Sequence, residues 1–424
     1  MKSKPSLAFF NACNQGSGAE NLVSATVSAL VKRGHEASLH VRTIRQVAAK
    51  DAPSWVTQLP FPASDRVVER LLRQATGYND YFFRTGRHFL SQAATRGAQI
   101  WHLHNLHGHY LSIPALSRLS LVKPIVLSPV DEFLATGYCT YRLGCGRLSL
   151  GCGECPQIDT SYPKISRDAT AALFKIKHKA VLNSKFHILV HTRYLENFYR
   201  ENFGDGARIS RLYYGVDVDI FKPVDRAIAA SRLGLQHSRR FVVGLMHSQI
   251  MEPRKGLVGL LERLRAAAAS APGGIELLVV GGGSEAAKAF ATEGLTVTTI
   301  PYLAGEAPLA DAFNLCDVLL YPTKGDNLSL TTLCALSCGV PVISSAIGGQ
   351  GEAISDGVEG FLCTTGHLDE FIERLMLLKG DDELLKTMKA AARARALKQF
   401  DFASYITNLQ LFYDRVLAET NHHE

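Results

Sequence analysis

Three stretches of this chain combine residue types at spacings that could do chemistry. Residues 321–352 run Tyr-Pro-Thr-Lys-Gly-Asp-Asn-Leu-Ser into an apolar segment, then Gly348-Gly349 and Glu352. Ser329 stands where a helix N-cap belongs, and Gly339 where that helix should stop. Backbone N–H groups of Leu330, Thr331 and Thr332 at such a helix start, beside a glycine-rich loop, suit a phosphate or diphosphate. Asp326, Asn327 and Leu328 occupy the loop leading into it. Upstream, Arg254-Lys255-Gly256 precedes another helix and offers two cations of the kind that grip phosphate, a solvated loop being the plain alternative. Gly282 lies in a Gly-Gly-Gly-Ser turn that closes a strand.

The second stretch is Ile100-Trp-His-Leu-His-Asn-Leu-His-Gly-His-Tyr. His102 and His104 share one face of a strand by alternation, and His107 and His109 follow its end. Their spacing matches no common zinc pattern, and no nearby carboxylate completes one. The third is a glycine-rich loop with Cys139, Cys145, Cys152 and Cys155, ending in a C-x-x-C pair. Four thiolates can close a tetrahedral structural site, and an irregular loop with little core of its own needs a staple. A structural zinc is therefore expected here. Four reduced thiols, or two labile disulfides, are the alternatives.

These stretches need elements to hold them. Ser6 to Phe10 reads as a first strand, and Asn21 to Lys32 as a helix with Leu22, Val23, Val27, Leu30 and Val31 facing inward. Ala37 to Val41 is the next strand. The turn between first strand and helix contains Gly16 and Gly18 but no G-x-G-x-x-G, so dinucleotide binding is not indicated. Strand and helix signals then alternate: Pro124 to Ser128, the helical run 169–183, His187 to His191, Phe241 to Met246, Ile275 to Val280 and Val318 to Tyr321. This rhythm predicts α/β architecture with parallel sheets. Residues 45–95 are less regular and carry Arg66, Arg70, Arg73, Arg84 and Arg87, suited either to an acceptor or membrane-facing flank or to solvated helix faces.

A length of 424 residues exceeds one ordinary core and predicts two domains. A formal charge of +7 without a dense basic stripe fits anionic ligands or an anionic membrane surface, and argues against nucleic acid. No run of about 18 apolar residues predicts a membrane span. Nine cysteines, an odd number, without a secretory signal argue against a disulfide framework and make a reducing cytoplasm the default.

The 321–352 stretch resembles the donor-nucleotide motif of retaining GT-B glycosyltransferases of the family-four type, P-S-x-x-D/E-x-x-P-x-x-x-x-E-A-x-A-x-G-x-P-V followed by G-G-x-x-E. Pro322, Asp326, Ala335, Gly339, Pro341, Val342, Gly348, Gly349 and Glu352 fit it. Ser329 replaces the usual proline, and Cys334 the second acidic residue. The Gly16-Ser-Gly18-Ala-Glu turn resembles the family's G-G-A-E loop, with Ser17 in place of one glycine. The histidine segment and the cysteine loop are similar to those of a subgroup found in exopolysaccharide biosynthesis. Its His-Asp pair is here Val130-Asp131, so one sugar-contacting histidine is absent.

The resemblance implies two Rossmann-like domains facing a central cleft. Residues 1–210 would form the acceptor domain, 211–400 the nucleotide-sugar domain and 401–424 a terminal helix returning to the first. It implies transfer of a sugar from a UDP- or GDP-sugar to a hydroxyl of a glycan or lipid-linked acceptor, without a cofactor for catalysis. Asp326, Asp131 and His104 would be catalytic. Gly16, Gly18, Arg254, Lys255, Gly282, Asn327, Leu328, Ser329, Leu330, Thr331, Cys334 and Glu352 would hold the donor, and Asn105 and His107 the acceptor. Cys334 cannot replace a ribose-binding carboxylate, since a thiol is a poor acceptor, and Glu352 is the residue placed to take over. The implied location is cytoplasmic, with peripheral contact to an anionic inner membrane face. A non-catalytic homologue serving as a partner subunit, and a nucleotide-sugar epimerase of the same fold, are the alternative readings.

Overall fold

The computed structural model describes residues 4–45, 51–82, 89, 93–159, 166–236, 238–250, 252–269, 271 and 273–421. Arg84 and Arg87 lie outside them. The chain divides into two compact units, Met1–Leu212 with Ile406–Glu424, and Tyr213–Tyr405.

The first unit is built on a seven-stranded sheet in the order β3-β2-β1-β4-β5-β6-β7, all parallel. Its strands are β1 (Leu7–Cys13), β2 (Ala37–Thr43), β3 (Val56–Gln58), β4 (Ile100–His104), β5 (Ile125–Ser128), β6 (His187–Val190) and β7 (Arg208–Arg211). Parallel strands covered on both faces read as continuous apolar runs rather than alternation, as β5 (Ile-Val-Leu-Ser) does, with all four residues buried. Helix α1 (Gly18–Lys32) buries Leu22, Val23, Val27 and Leu30. It starts three residues earlier than the apolar periodicity predicts, because Ser17 and Glu20 form a capping box. Two further helices matter to the site, α2 (Thr170–Leu182) and α3 (Arg193–Phe203).

The second unit carries a six-stranded parallel sheet in the order β10-β9-β8-β11-β12-β13. Here β8 is Phe241–Gln249, β9 Ile275–Gly282, β10 Leu295–Ile300, β11 Val318–Tyr321, β12 Val342–Ser345 and β13 Gly360–Cys363. Helices α4 (Leu257–Ala268) and α5 (Leu330–Ser337) bracket the residues of interest. Each unit has its own apolar core, one around Phe10, Trp101 and Leu127, the other around Leu245, Leu320 and Phe371.

In both sheets the strand order reverses beside the first strand, between β1 and β4 and between β8 and β11. Open α/β sheets bind ligands at the carboxyl ends of strands at such a point. The terminal helix α6 (Phe402–Asn421) has its residues from Ile406 onward in the first unit. There Tyr413 Oη lies 2.6 Å from His102 Nδ1, and Arg33 donates to Thr407 and Gln410. Among the described residues, no helix is long and apolar enough to cross a membrane.

Candidate functional site

In the second unit, Pro322 and Gly325 end β11 and turn the chain toward α5. Ser329 caps that helix, its hydroxyl accepting from the Thr332 amide. The structure thus engages one of the three amides that the sequence offers to a ligand. Leu330 and Thr331 form the half-exposed first turn. Gly348 has φ +58, and a Cβ there would lie 1.8 Å from the Asp326 carbonyl oxygen. Only glycine allows the two loops to meet this closely.

Asp326 is the hub. Its Oδ2 lies 2.7 Å from Lys255 Nζ and accepts from Tyr321 Oη at 2.5 Å, while Tyr321 Oη also lies 2.8 Å from Lys255 Nζ. Arg254 Nη1 is 3.7 Å away and also donates to the Gly325 carbonyl. Burial pushes the Asp326 carboxyl up. Lys255 and Arg254, with hydrogen bonds from Lys255 and Tyr321, outweigh that and hold it well below the usual carboxylate range. Burial lowers Lys255 from its ordinary value, and Asp326 opposes the shift. His247, at the end of β8, is pushed down to about 4 by burial and by Lys255, which keeps it neutral. The two cations therefore converge on one carboxylate, and an incoming diphosphate would compete with or join that ion pair.

Two expected donor residues are constrained differently from their sequence roles. Cys334 is buried inside α5, and burial raises its thiol well above the ordinary value, so it is a neutral group in an apolar setting. Glu352 already accepts from Tyr213 Oη at 2.5 Å, so a ribose hydroxyl would share that carboxylate. Gly282 sits against the Ser248 carbonyl and Gln249, fixing the end of β9 beside β8.

In the first unit, the carboxyl ends of β1 and β4 bring Asn11, His104 and Asn105 together. Asn105 Nδ2 donates to Asn11 Oδ1 at 3.2 Å. Asn11 Nδ2, His104 Nε2 and Asn105 Oδ1 are buried and have no protein partner. Such atoms cost free energy unless a ligand or water meets them. Asn105 has φ +46, a left-handed conformation that asparagine tolerates better than most residues. His104 stacks on Phe9, and burial lowers it to about 3, so it is neutral and enclosed rather than presented as a catalytic acid or base. His102 is likewise interior, tied to Tyr413 and to Ser128 at 2.6 Å.

His107 and His109 are each held at Nδ1 by a carboxylate, Asp131 at 3.2 Å and Asp80 at 2.8 Å. Asp131 spends its other oxygen on the Phe133 amide at 2.9 Å. Burial raises the Asp131 carboxyl, and His107 opposes the rise. The loop bearing it is pinned from below: Tyr199 of α3 donates to the Asp131 carbonyl at 2.6 Å, and Lys177 of α2 to the Phe133 carbonyl at 2.8 Å. Lys177 is wholly buried over the Phe133 ring, and burial lowers its ammonium to about 7. At the first turn of this unit, Gly16 has φ +144 and its amide lies 3.3 Å from Asn21 Oδ1, while Gly18 opens α1.

Cys139, Cys145, Cys152 and Cys155 line one small pocket over the start of α2. Cys145 accepts from the Arg147 amide and Cys152 from the Gly137 amide; burial raises the Cys152 thiol, and the Gly137 amide opposes the rise. All four are free thiols, which removes the disulfide alternative in this structure. Among the described residues, no three His, Cys, Asp or Glu side chains are gathered tightly enough to hold a metal ion. The donor set is chemically that of zinc, but the sulfurs are not drawn together around one point.

Sequence reasoning missed Asn11, Asp80, Lys177, Tyr213 and Tyr321. Lys177 carried a signal, being a charged residue on the apolar stripe of Leu173, Ala180 and Val181. Asn11 is a polar residue inside an apolar strand. Asp80 and Tyr213 gave none, since their partners His109 and Glu352 are distant in sequence, and Tyr321, though five residues from Asp326, read only as the end of a buried strand.

Residues 241–381, within the second unit, match the family described as glycosyl transferases group 1. The chain is 30% identical over 237 residues to a D-inositol 3-phosphate glycosyltransferase of Mycobacterium bovis, an alignment covering 51% of this chain and 46% of that one. It spans about half the length of the curated relatives it matches. In fold it is similar over 98% of its length to all of a sucrose-phosphate synthase from Thermosynechococcus elongatus, with a TM-score of 0.71 at 17% identity. It is similar over 97% to all of Anabaena HepE in complex with UDP-glucose, with a TM-score of 0.67 at 15% identity. Whole-chain likeness of this kind shows the GT-B type of fold, two Rossmann-like domains in one chain. The likeness to group 1 glycosyl transferases thus lies in the sequence of residues 241–381, and over its length the chain has the GT-B type of fold.

Proposed function

We propose that this chain transfers a sugar from a nucleotide-sugar to a hydroxyl group, with retention at the anomeric carbon. The observation that carries the reading is the meeting of Arg254 and Lys255 on Asp326, in the loop that leads from β11 into the N-terminus of α5, at the switch point of the second sheet. In the group 1 pattern these are the parts that hold a diphosphate. Cations and helix amides aimed at the leaving phosphate stabilise charge that grows as the sugar–phosphate bond breaks. Asp326 is fixed by Lys255 and Tyr321 on one oxygen and by the Asn327 amide on the other, so a sugar hydroxyl would share that carboxylate. The HepE complex supports a UDP-sugar as donor, with a GDP-sugar as the competing choice. The acceptor is a hydroxyl of a glycan or lipid-linked sugar, and the chain works at an anionic membrane face. Donor binding tests the reading: thermal shift over UDP-, GDP- and ADP-sugars should raise Tm for one nucleotide class. No shift with any of them would remove it.

The cysteine loop is assigned a structural zinc on the strength of its four thiols and two N–H···S contacts. Binding would require the loop to close around the ion. Elemental analysis should find one zinc per chain, and a metal-free, folded and active protein would refute the assignment.

A further inference from the structure

Within the second unit, Asp326 Oδ2 is shared by a cation and a neutral donor. Lys255 Nζ lies 2.7 Å from it and the Tyr321 hydroxyl 2.5 Å, and these two partners are themselves 2.8 Å apart. Tyr321 is the last residue of β11 and its side chain is buried. Burial raises the phenol well above its ordinary value, and Asp326 adds to the rise, so Tyr321 is neutral and carries one hydrogen. With Lys255 donating to its oxygen, that hydrogen goes to Asp326. The Asn327 amide is a second neutral donor, to Oδ1 at 2.9 Å.

The cations are committed differently. Lys255 and Arg254, the latter with Nη1 3.7 Å from the carboxylate, are the groups that a diphosphate recruits. A cation drawn onto phosphate gives up part of its hold on Asp326, while the anion adds repulsion. A phenol whose single hydrogen lies on Asp326 has none to give to phosphate. Its share in holding the carboxylate therefore grows when the ligand arrives.

We propose that Tyr321 is a positioning residue of the donor site, its hydroxyl holding Asp326 in place while a bound diphosphate draws Lys255 and Arg254 away. This rests on the nucleotide-sugar reading above. The titratable and charged groups facing Asp326 are Lys255 and Arg254 before α4, Tyr321 of β11, Tyr214, and His247 at the end of β8, with Glu252 bound to Arg254 at 2.8 Å. Burial raises the Asp326 carboxyl, and the cations and hydrogen bonds oppose it. In a complex that lacks the phenol, burial prevails and the carboxyl rises. Protonation then favours the complex, so binding by a variant without the phenol tightens as pH falls.

The test is calorimetric titration of the full chain with UDP- and GDP-sugars, for wild type and Tyr321→Phe, at about pH 7.5 and about pH 5. Neither phosphate of a nucleotide-sugar titrates in that interval, and His247, pushed down to about 4, stays neutral across it. The ratio of variant to wild type cancels groups that the substitution does not touch. Tyr321→Phe should weaken binding at least about tenfold at the higher pH, the worth of a hydrogen bond to a charged group. The deficit should shrink to within about threefold at the lower pH, where a protonated Asp326 no longer needs the phenol. Tyr321→Met serves if the phenylalanine variant does not fold by circular dichroism. Binding equal to wild type at the higher pH, or a deficit equally large at both, as a merely structural role would give, would overturn the proposal and leave the transfer reading standing. A folded wild type that binds none of the panel would overturn both.

Discussion

The two sheets present the same topological position with opposite chemistry. At the switch point of the second, every charge is answered: Lys255, Arg254, Asp326 and Tyr321 form a closed network. At the switch point of the first, neutral amides and an enclosed imidazole leave three buried polar atoms without a partner. Under the proposed transfer, the two positions would suit different ligands. A closed ionic network is rigid and prepared for an anion, which enters by competing for the cations. An unanswered set of neutral donors and acceptors is prepared for hydroxyls, which add hydrogen bonds without displacing any.

Breaking the network in the second unit should cost the most stability. Asp326→Asn leaves Lys255, with only 5% of its surface exposed, without its carboxylate. Removing one partner of a buried pair costs on the order of 3 kcal/mol, read by urea unfolding. The pH dependence has a definite sign. Asp326 is held below the usual carboxylate range, so its contribution is fully present above the unfolded value of about 3.9 and is lost as pH falls through the lower folded value. The asparagine variant should therefore show a flatter loss of stability below about pH 4. An unchanged acid limb would mean that the ion pair is not what Asp326 contributes.

Next in size, Lys255→Ala should weaken nucleotide-sugar binding by about 1.5–3 kcal/mol, the worth of a charge-assisted contact. Calorimetric titration measures it, and an unchanged Kd would place the donor elsewhere. Ser329→Ala removes the cap of α5 and should cost about 1 kcal/mol of stability, read from the shift in Tm. Smallest is Asn105→Gly, which keeps the left-handed backbone and deletes one amide. Stability should change by less than about 1 kcal/mol, while the KM for acceptor should rise with kcat nearly constant. A large stability loss here would erase the contrast between the two regions.

Much of the fold was legible because parallel strands and their covering helices carry local signals. The Val318 to Tyr321 strand, the Ser329 cap and the Gly339 stop all sit where nearest-neighbour chemistry puts them. The second-unit site was legible for a related reason: its loop, cap and cations are short contiguous segments. What sequence could not give was which of those groups already answer one another. Tyr321 and Lys255 are 66 positions apart, yet they share Asp326. Glu352, expected to be open to a ribose, is engaged by Tyr213, 139 positions away. In the first unit, the histidine segment was visible but its division was not. Burial sends His102 and His104 inward, while the turn at 105–109, with left-handed Asn105 and His109, aims His107 and His109 at carboxylates from other loops. Cys334 illustrates the same limit. Its thiol is a poor acceptor in any setting, and only the structure shows it to be buried, so that a glutamate placed there must also bear a desolvation cost.

Under the proposed function, the second unit grips the diphosphate of a nucleotide-sugar whose sugar is then transferred. Release of nucleoside diphosphate from the UDP- and GDP-sugar panel, followed by chromatography for wild type and Lys255→Ala side by side, tests it most directly. The wild type should turn over one nucleotide class and the variant should lose that turnover, both proteins being folded. Turnover that persists undiminished without Lys255, or a wild type that neither binds nor consumes any of the panel, would contradict it.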